Sequence, residues 1–526
     1  MERRLSEFFT PETAEKAGMT AREGGSDPMI TGLEYDSRLV KPGNLFFALS
    51  GLHTDGHLYI NEAIAKGAAA VVCEADKKIT DAAGISDKTV VLKVKNSRFA
   101  MSPVASAFYN FPSRHLCVIG VTGTEGKSTT VSLIWQLLRL LGKKAGFIST
   151  VQHSLGDEAL DNTEHQTTPE ATAVQRMLRE MADNGCEYAV LEASSHGLSP
   201  RTNRLGGIQF CCAVFTNVTH EHLEFHGTFE QYRDDKANLF RALDDYANNN
   251  HAHKPFGIIN IDDKSADYFA KATQQKTAGF SAKGKEAALS LKSIESSAWG
   301  NWYDVAAEGE KDFLIIRDRL PGAFNAGNVL AALLAVSGVL ELPVNKIAAL
   351  IPGLKPVRGR MNAIDKGQPF EVVVDYAHTP SSFNTIFPPL RKRLNKKGGR
   401  IISVFGSAGE RDTQKRPEQG KIAAEYSDII ILTDEDPRGE KPMDILEEIA
   451  RGVETEAAAI FKRGENLFLI PDRPAAIRRA LSLARPGDLV LLLGKSHENS
   501  IIYADHVMPF DEIAETEKAL GEMGWK

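Results

Sequence analysis

The chain has 526 residues, of which 42% are hydrophobic and 25% are charged, and its formal net charge is −7 at pH 7. These values are typical of a globular protein with several domains, and the negative charge argues against general nucleic-acid binding, which relies on a positive surface. No run reaches the roughly 20 apolar residues that span a bilayer, and the charged N-terminus does not resemble a signal peptide. We expect a cytoplasmic protein, acting as a monomer, that neither binds nucleic acid nor inserts into membranes.

The five cysteines are odd in number and show no C-x-x-C spacing. Cys117, Cys211 and Cys212 lie in apolar runs, where a free thiol behaves as a small core residue. This usage predicts free thiols and a reducing compartment.

Short strands and helices alternate along the first part of the chain. Apolar runs at 44–49 and 68–73 predict strands, and the segment 58–67 between them predicts a helix. The proline-containing segment 108–115 predicts a linker. We therefore expect a first α/β domain over residues 1–112.

The most informative stretch follows that linker and reads HLCVIGVTGTEGKSTT. Its apolar run predicts a strand, its glycines (Gly120, Gly123 and Gly126) predict a turn, and the apolar spacing beyond predicts a helix. A strand, a glycine turn and a helix N-terminus form a phosphate cradle, in which Lys127 pairs with the anion and Ser128 offers a hydroxyl to Mg²⁺. The usual pattern has its first glycine one position after Gly120, so this loop is a variant, and a plain glycine turn is the alternative. The stretch predicts a nucleoside triphosphate site.

Beyond the loop the alternation continues, which predicts a parallel sheet covered by helices. Thr168-Pro169-Glu170 is expected to open a helix, with proline at its first position. Strands are predicted at 188–191, 209–216 and 256–261. Glu192 follows the first of these, and a carboxylate there commonly holds Mg²⁺ beside a phosphate loop. A solvated loop glutamate is the alternative.

The segment 217–227, NVTHEHLEFHG, holds His220, His222 and His226. It looks like a loop and lacks the H-E-x-x-H spacing of a helical zinc site. We expect one histidine to assist a hard cation rather than a dedicated zinc site. Ordinary loop histidines are the alternative.

The next helix places a lysine on its apolar face. Thr228 and Gln231 resemble a capping box, and the apolar stripe that follows includes Lys236 by helical spacing. Burying a lysine is costly unless it is paired or its charge is removed. A desolvated lysine can react as a neutral amine, whereas the alternative is a side chain that reaches out to water.

A boundary is expected at 352–360, which is rich in Pro, Gly and Arg. It divides a central domain over 113–355 from a third α/β domain over 356–526. A polar stretch at 282–312 gives no clear pattern. The strands predicted for the third domain lie near 370–374, 400–405, 428–432 and 488–493.

The first loop of the third domain carries a partial glycine motif and a basic cluster. Gly406 and Gly409 lack the G-x-G-x-x-G fingerprint, which argues against NAD. The neighbouring Arg411, Lys415 and Arg416 suit carboxylates or phosphates.

Two further loops are expected to form an amino-acid pocket. The segment TDEDPRGE (433–440) can bind a zwitterion, with the acids on an ammonium and Arg438 on a carboxylate, although a solvated charged turn is the alternative. The segment GKSHE (494–498) follows the last predicted strand and closes the same pocket.

Taken together, these motifs resemble the Mur ligase family, and most closely its MurE branch. That branch adds a diamino acid to UDP-N-acetylmuramoyl-L-alanyl-D-glutamate in peptidoglycan synthesis. The resemblance covers nearly the whole chain, in family order. The segments that carry it are DSRLVKPGNLFFALSG (36–51), FYNFPSRHLCVIGVTGTEGKSTT (108–130), QTTPE (166–170), LEASSHGL (191–198), FTNVTHEHLEFHGTFEQYRDDKANLF (215–240), LPGAFNAGNVLAALLA (320–335), VDYAHTP (374–380), FGSAGERDTQKRP (405–417) and GKSHE (494–498).

The resemblance implies an N-terminal UDP-sugar-binding domain, a central domain with a P-loop ATPase-like parallel sheet, and a C-terminal Rossmann-like domain that binds the amino acid. The implied ATP-binding residues are Gly123, Thr124, Gly126, Lys127, Ser128, Thr129, Asn325, Asn328, Arg360 and Asp375. The implied muramoyl-peptide contacts are Ser37, Thr167, Thr168, Ser194 and Arg204. The implied amino-acid contacts are Arg411, Asp436, Arg438, Gly494 and Glu498.

The resemblance also implies a catalytic set and a metal site. The implied catalytic residues are Lys127, Glu192, His222 and Lys236. The implied ligands of two Mg²⁺ ions are Ser128, Glu192, His222 and Lys236. Lys236 would carry a carbamate, formed from CO₂, that supplies a carboxylate to the second ion.

Two departures from the family pattern bear on function. The family loop usually reads G-T-N-G-K-T, whereas this chain has Glu125 and Ser128, and Glu125 adds a negative charge near the phosphates. Diaminopimelate-specific members read D-N-P-R, whereas this chain has Asp436 in place of the asparagine, which favours an additional ammonium. The acceptor is therefore a diamino acid, with meso-diaminopimelate, lysine and ornithine all open.

The reaction implied is ATP-dependent amide formation. The γ-carboxylate of D-glutamate attacks the γ-phosphate of ATP, and the diamino acid then attacks the acyl phosphate. Rival interpretations are another ligase of the family, such as one that extends folate with glutamate, a P-loop kinase or NTPase switch, and a non-catalytic nucleotide-sugar binder. The DSRLVKPG segment argues against the folate ligase.

Overall fold

The described residues of the computed structural model form three large β-sheets and two separate strand pairs. Within this part of the chain, no helix is long and apolar enough to cross a membrane. The limits expected for the domains, 1–112, 113–355 and 356–526, each enclose one large sheet. The structure describes residues 1–51, 54–77, 89–162, 166–219, 223–248, 253–297, 299–396 and 398–526.

The first sheet lies in the N-terminal part. Its strands and the pair beside it are β1 (Arg3–Arg4), β2 (Met19–Glu23), β3 (Met29–Ile30), β4 (Gly32–Glu34), β5 (Asn44–Phe47), β6 (Ala70–Glu74) and β7 (Val90–Val94). The helices are α1 (Leu5–Phe8), α2 (Pro11–Lys16), α3 (Ile60–Ala65) and α4 (Ser97–Phe108), with a 3₁₀ turn at Gly56–Tyr59. The sheet order is β2-β7-β6-β5-β4, in which β4 to β7 are parallel and β2 is antiparallel.

The central sheet is the largest, with eleven strands. Its strands are β8 (Cys117–Thr122), β9 (Ala145–Ile148), β10 (Gln152–Ser154), β11 (Leu160–Asp161), β12 (Tyr188–Glu192), β13 (Phe210–Phe215), β14 (Phe256–Asn260), β15 (Lys276–Ser281), β16 (Leu289–Ser297), β17 (Gly300–Ala307) and β18 (Leu314–Arg317). Its helices are α5 (Lys127–Leu140), α6 (Ala171–Asp183), α7 (Ser195–Leu198), α8 (Leu223–His226), α9 (Phe229–Ala247), α10 (Ala266–Ala270), α11 (Asn325–Leu340) and α12 (Val344–Ala348). Short 3₁₀ turns lie at Pro112–Arg114 and Ile351–Gly353.

The central strands run in the order β11-β10-β9-β12-β8-β13-β14-β15-β16-β17-β18. Strands β9 to β16 in this order are parallel, so the carboxyl ends of β8, β12 and β13 meet at one edge. Ligands of open α/β sheets bind at this edge. The predicted α/β class with a parallel central sheet is confirmed, and each predicted strand lies within two residues of its expected ends.

One region of the central sheet was not predicted. The polar stretch 282–312 contains β16 and β17, which pair antiparallel with each other. Leu291, Tyr303 and Val305 are buried, whereas alternate residues such as Trp302 are exposed. Since a strand with one solvated face shows no continuous apolar run, the pattern was concealed.

The start of α6 also differs from the prediction. The helix begins at Ala171, and Glu170 is an extended N-cap residue, so Pro169 is not the first helical residue. Thr168 is held at the end of β12 by a hydrogen bond from its hydroxyl to the carbonyl of Glu192 (2.9 Å). This contact keeps the chain extended for longer than the local sequence indicates.

The C-terminal part contains a sheet with the order β19-β20-β24-β21-β22-β23, parallel from β20 to β23, and a separate antiparallel strand pair. The strands are β19 (Asn362–Ala363), β20 (Glu371–Asp375), β21 (Ile401–Phe405), β22 (Ile429–Leu432), β23 (Leu467–Leu469), β24 (Leu489–Leu493), β25 (Ser500–Ile502) and β26 (Val507–Pro509). The helices are α13 (Pro380–Asn395), α14 (Lys415–Tyr426), α15 (Pro442–Ala457), α16 (Arg473–Leu483) and α17 (Glu512–Glu522).

Two of the cysteines do not follow the prediction. Cys117 and Cys211 form a disulfide with their Cα atoms 5.7 Å apart, so the expectation of free thiols is wrong for this pair. The residues lie on β8 and β13, which are neighbours in the sheet although 94 residues separate them in sequence. Cys73, Cys186 and Cys212 are free and buried.

Candidate active site

The glycine turn between β8 and α5 has the shape that a phosphate cradle needs. Gly126 adopts a left-handed backbone, with φ of +83°, directly before Lys127 opens α5. A Cβ atom at this glycine would lie 2.4 Å from Oδ1 of Asn328, so any side chain there would displace the Asn328 amide. The amides of Lys127, Ser128 and Thr129, in the first turn of α5, have no partner within the helix and can bind an anion.

The rest of the turn is fixed by the segment that follows β13. The amides of Thr124 and Glu125 donate to the main-chain oxygen (2.8 Å) and side-chain oxygen (2.9 Å) of Asn217. The carbonyl of Glu125 accepts from the side-chain amide of Asn217 (3.1 Å) and the hydroxyl of Thr216 (2.6 Å). Lys127 donates to the carbonyl of Thr124 at 2.8 Å. The backbone of Glu125, the residue that departs from the family pattern, is therefore fixed by hydrogen bonds on both sides.

Lys236 lies inside the protein against the same turn. Its side chain is 1% exposed, and its Nζ donates to the main-chain oxygen of Gly123 at 2.6 Å. The Nζ also lies 4.5 Å from the ring centre of Tyr232, whose hydroxyl is 3.1 Å from that of Thr124. Because its side chain is buried, Lys236 does not reach water, and that alternative is excluded. The contacts of Lys236 and Tyr232 also hold α9 against the phosphate turn.

Glu192 ends β12, beside the end of β8. Its carboxylate is 3% exposed and accepts hydrogen bonds from the amide (2.8 Å) and hydroxyl (3.0 Å) of Thr150. The hydroxyl of Thr168, which donates to the Glu192 carbonyl, also lies 2.8 Å from the hydroxyl of Ser194. Glu192 is therefore not a solvated loop residue, and that alternative is excluded. Three predicted site residues, Thr168, Glu192 and Ser194, lie together at the end of β12.

The oxygen atoms around the turn suit Mg²⁺, which prefers hard oxygen ligands. Glu192 offers a buried carboxylate, and Ser128 offers a buried hydroxyl on the first turn of α5. His220 and His222 lie outside the described residues, so the structure does not test them as ligands. Among the residues described, no group of three His, Cys, Asp or Glu side chains forms a metal cluster.

Asn325 and Asn328 occupy the first turn of α11, against the phosphate turn. The side-chain amide of Asn328 donates to Asn325 at 2.9 Å, and the hydroxyl of Thr130 donates to Asn328 at 3.3 Å. Asn325 in turn donates to the carbonyl of Pro321 at 2.7 Å. The two predicted nucleotide residues are thus packed together beside α5.

Arg360, from the C-terminal part, lies near the turn, and Asp375 binds the amide of the residue that follows it. The guanidinium of Arg360 lies 3.4 Å from the hydroxyl of Ser128. Asp375 accepts hydrogen bonds from the amides of Met361 (2.7 Å) and Ala377 (2.8 Å). Burial raises the pKa of the Asp375 carboxyl, and the charge of Arg360 opposes that rise. Asp375 therefore holds the segment that carries Arg360.

Asp436 and Glu498 meet around a buried lysine. Lys495 has no exposed surface, and its Nζ lies 2.8 Å from Asp436 and also pairs with Glu498. Asp436 further accepts the amide of Ile502 (3.0 Å), and Glu498 accepts the hydroxyl of Tyr376 (3.1 Å). The single positive charge of Lys495 is thus shared by two carboxylates, and the contact of Asp436 with a substrate ammonium stays a prediction.

Other polar atoms of the same loops are available to a ligand. Within the described part of the chain, Nε of Arg438 and Oε2 of Glu435 are buried without a hydrogen-bond partner. A Cβ atom at Gly494 would lie 3.1 Å from that oxygen of Glu435, so the glycine lies directly against the carboxylate. A guanidinium and a carboxylate in one loop suit a zwitterionic ligand.

The basic cluster after β21 divides into different roles. Arg416 is 1% exposed and pairs with Glu440 (2.8 Å) and Glu448 (2.9 Å), so the expectation that it binds substrate is corrected. Lys415 donates to the carbonyl of His378 at 3.2 Å. Arg411 is exposed, and its contact with the amino acid stays a prediction.

Arg204 lies on the side of the site nearest the first sheet, where it binds two residues of the segment before α6. It donates to the carbonyl of Thr168 (2.8 Å) and to Glu170 (2.9 Å). Glu170 also pairs with Arg98 of α4 at 2.8 Å, which links the first two sheets. The other predicted muramoyl contacts, Ser37 and Thr167, are half-buried loop residues.

Sequence reasoning did not single out Asn217, Tyr376 or Lys495 as parts of the site. Each lies in a motif quoted above, but the partners that give it a role lie far away in sequence. The separations are 92 residues for Asn217 and Glu125, 122 for Tyr376 and Glu498, and 59 for Lys495 and Asp436.

Comparison with known families matches most of the chain in three segments. The matching models are described as "Mur ligase family, catalytic domain" at 29–111, "Mur ligase middle domain" at 121–336 and "Mur ligase, glutamate ligase domain" at 359–496. The chain belongs to the Mur ligase family. The predicted membership and three-part Mur ligase architecture are therefore confirmed.

Similar Mur ligases match along nearly their whole length. The UDP-N-acetylmuramyl-tripeptide synthetase of Treponema denticola is 51% identical over 515 residues, which cover 94% of this chain and 95% of that protein. The UDP-N-acetylmuramoyl-L-alanyl-D-glutamate–2,6-diaminopimelate ligase of Geobacillus kaustophilus is 38% identical, over 95% of this chain and 96% of that protein. A solved structure with the latter ligase name has a TM-score of 0.60 at 27% identity and covers 94% of this chain and 96% of that chain.

Proposed function

We propose that this Mur ligase uses ATP to join a diamino acid to UDP-N-acetylmuramoyl-L-alanyl-D-glutamate during peptidoglycan synthesis, as a monomer in the cytoplasm. The observation that carries the proposal is the buried amine of Lys236, 2.6 Å from the carbonyl of Gly123 in the phosphate turn. The carboxylate of Glu192 ends the neighbouring strand. The names of the tripeptide synthetase and diaminopimelate ligase relatives support the substrates.

The arrangement of charges accounts for the first step. The γ-carboxylate of D-glutamate attacks the γ-phosphorus of ATP, the bond to the bridging oxygen breaks, and ADP leaves. The first amides of α5, together with the Lys127 ammonium and the Arg360 guanidinium, hold and orient the phosphates. Mg²⁺ bound by Ser128, Glu192, His222 and a carbamate on Lys236 would neutralise negative charge on the transferred group.

The second step joins the amino acid. Its amine attacks the carbonyl carbon of the acyl phosphate, inorganic phosphate leaves, and the amine loses a proton. The unpartnered Arg438 and Glu435 atoms suit the carboxylate and ammonium of the incoming amino acid. Closure of the domains over three substrates would exclude water, which otherwise hydrolyses the acyl phosphate.

The proposal is tested by whether phosphate release from ATP depends on the presence of both other substrates. Purified protein with ATP should release phosphate only when both the UDP-muramoyl dipeptide and a diamino acid are present. Controls that omit one substrate at a time should remain at background. Phosphate release at the same rate without the UDP-muramoyl dipeptide and the diamino acid would contradict the proposal and favour an NTPase switch.

A further inference from the structure

Three buried polar side chains in the central part of the chain form a continuous hydrogen-bonded chain. Nδ1 of His226 is 2.7 Å from Oδ2 of Asp235, and Nε2 is 3.0 Å from the hydroxyl of Ser195. All three residues are at most 3% exposed. Oδ1 of Asp235 accepts the side-chain amide of Gln231 at 3.0 Å. We call the residues Ser195, His226 and Asp235 the buried triad.

The order of groups in the buried triad is that of a hydrolase, in which serine attacks a substrate. Burial excludes that role, because the hydroxyl of Ser195 has no access to a substrate. What the triad does is to join three helices: α7, which starts at Ser195, α8, which ends at His226, and α9, which contains Asp235.

These helices are the ones that adjoin the proposed Mg²⁺ ligands. Each member of the buried triad lies within four residues of one ligand in sequence. The pairs are Ser195 with Glu192, His226 with His222, and Asp235 with Lys236. His226 lies 31 residues beyond Ser195 and nine residues before Asp235, and the two hydrogen bonds of the triad link the three segments directly.

We infer that the buried triad is a positioning device that holds the three ligand-bearing segments together for a divalent cation and nucleotide. The inference rests on the proposed function, because it needs the metal site. Polar groups beyond the direct ligands commonly change metal affinity about 10–100-fold when they are removed. Since the triad acts through the backbone of its segments, we expect an effect near the lower limit, about tenfold.

The test compares Ser195→Ala and His226→Gln with Ser154→Ala. Ser154 is a matched control, because its hydroxyl is fully buried in strand β10 of the central sheet and donates to the carbonyl of Asp157 at 2.9 Å. Binding of Mn²⁺ is measured by electron paramagnetic resonance in the presence of a non-hydrolysable ATP analogue. Unfolding temperatures and the KM of the diamino acid are measured alongside.

We expect Ser195→Ala and His226→Gln to weaken Mn²⁺ binding about tenfold, while Ser154→Ala binds Mn²⁺ as the unmodified protein does. The KM of the diamino acid, which binds to the C-terminal part, should stay within about twofold. Ser195→Ala removes only a hydroxyl, so it keeps the test informative if His226→Gln does not fold.

Two results would count against the inference and separate it from the proposed function. If the unmodified protein binds Mn²⁺ and Glu192→Gln does not, the metal site exists. Equal Mn²⁺ affinity of Ser195→Ala, His226→Gln and Ser154→Ala would then overturn the positioning role. If the unmodified protein itself binds no Mn²⁺ with the analogue, the proposed function fails and the inference falls with it.

Discussion

The side-chain nitrogen of Lys236 lies 2.6 Å from the carbonyl oxygen of Gly123, although 113 positions separate the two residues. A lysine in such a buried position has a desolvation cost that an apolar residue would avoid. The contact places the amine at the phosphate turn. Under the proposed function, a carbamate formed on this amine would supply a carboxylate to the metal site.

Replacement of that amine gives the first prediction. Lys236→Met keeps the apolar stem but cannot form a carbamate, so turnover should fall at least about 100-fold. Binding of the UDP-muramoyl dipeptide, measured by calorimetry, should stay within about twofold. Lys16→Met, at an exposed lysine of α2 that pairs with Glu12, is the control and should leave turnover unchanged. A Lys236→Met enzyme with normal turnover would contradict the assignment.

The second prediction concerns the backbone of the phosphate turn. Gly126→Ala should weaken ATP binding at least about tenfold, because the new Cβ would lie 2.4 Å from Asn328 and strain a left-handed residue. Gly142 has a similar φ of +74°, but a Cβ there meets nothing within 4 Å. Gly142→Ala therefore carries the strain without the clash and should bind ATP normally. Equal ATP affinities of the two variants would argue against the cradle.

A third prediction follows from the buried ion pairs of the amino-acid loops. Lys495→Met leaves the buried Asp436 and the half-buried Glu498 without their cation, and loss of one partner of a buried ion pair typically costs about 3–5 kcal/mol. The KM of the diamino acid should rise at least about tenfold in the same variant. Lys421 is 62% exposed and pairs with Glu456, so Lys421→Met should change stability by less than about 1 kcal/mol. Denaturant unfolding and initial-rate kinetics measure both effects, and an unchanged KM would remove Lys495 from the site.

Local sequence predicted the phosphate turn and the stripe that carries Lys236, because strand runs and helical spacing are local signals. It did not reveal β16 and β17, because one face of each strand is solvated and their polar residues conceal the pattern. It also did not reveal that Lys495 pairs with Asp436, because the two residues lie on different loops. Contacts between segments that are distant in sequence could not be predicted from local sequence patterns.

A fourth prediction concerns pH. Burial raises the pKa of Asp434 to about 6, against the opposing hydrogen bond from Tyr503. The folded protein then holds this proton up to about pH 6, whereas the unfolded chain loses it near pH 4. Stability should therefore fall by about 1 kcal/mol as pH rises through that window, allowing for partial solvent screening.

Asp434→Asn removes this titration. Its stability relative to the unmodified protein should increase between about pH 4 and pH 6 and stay constant above about pH 7. Thermal unfolding at a series of pH values measures the difference, with the exposed Asp267→Asn as the control. A difference that does not change with pH would show that Asp434 does not titrate as expected.

The most direct measurement is detection of the product by mass spectrometry. Protein, ATP and UDP-N-acetylmuramoyl-L-alanyl-D-glutamate are incubated with lysine, ornithine or meso-diaminopimelate, each offered separately. We expect a UDP-muramoyl tripeptide with at least one of them, in amounts equal to the ADP and phosphate formed. Hydrolysis of ATP without any tripeptide, whichever amino acid is offered, would contradict the proposed function.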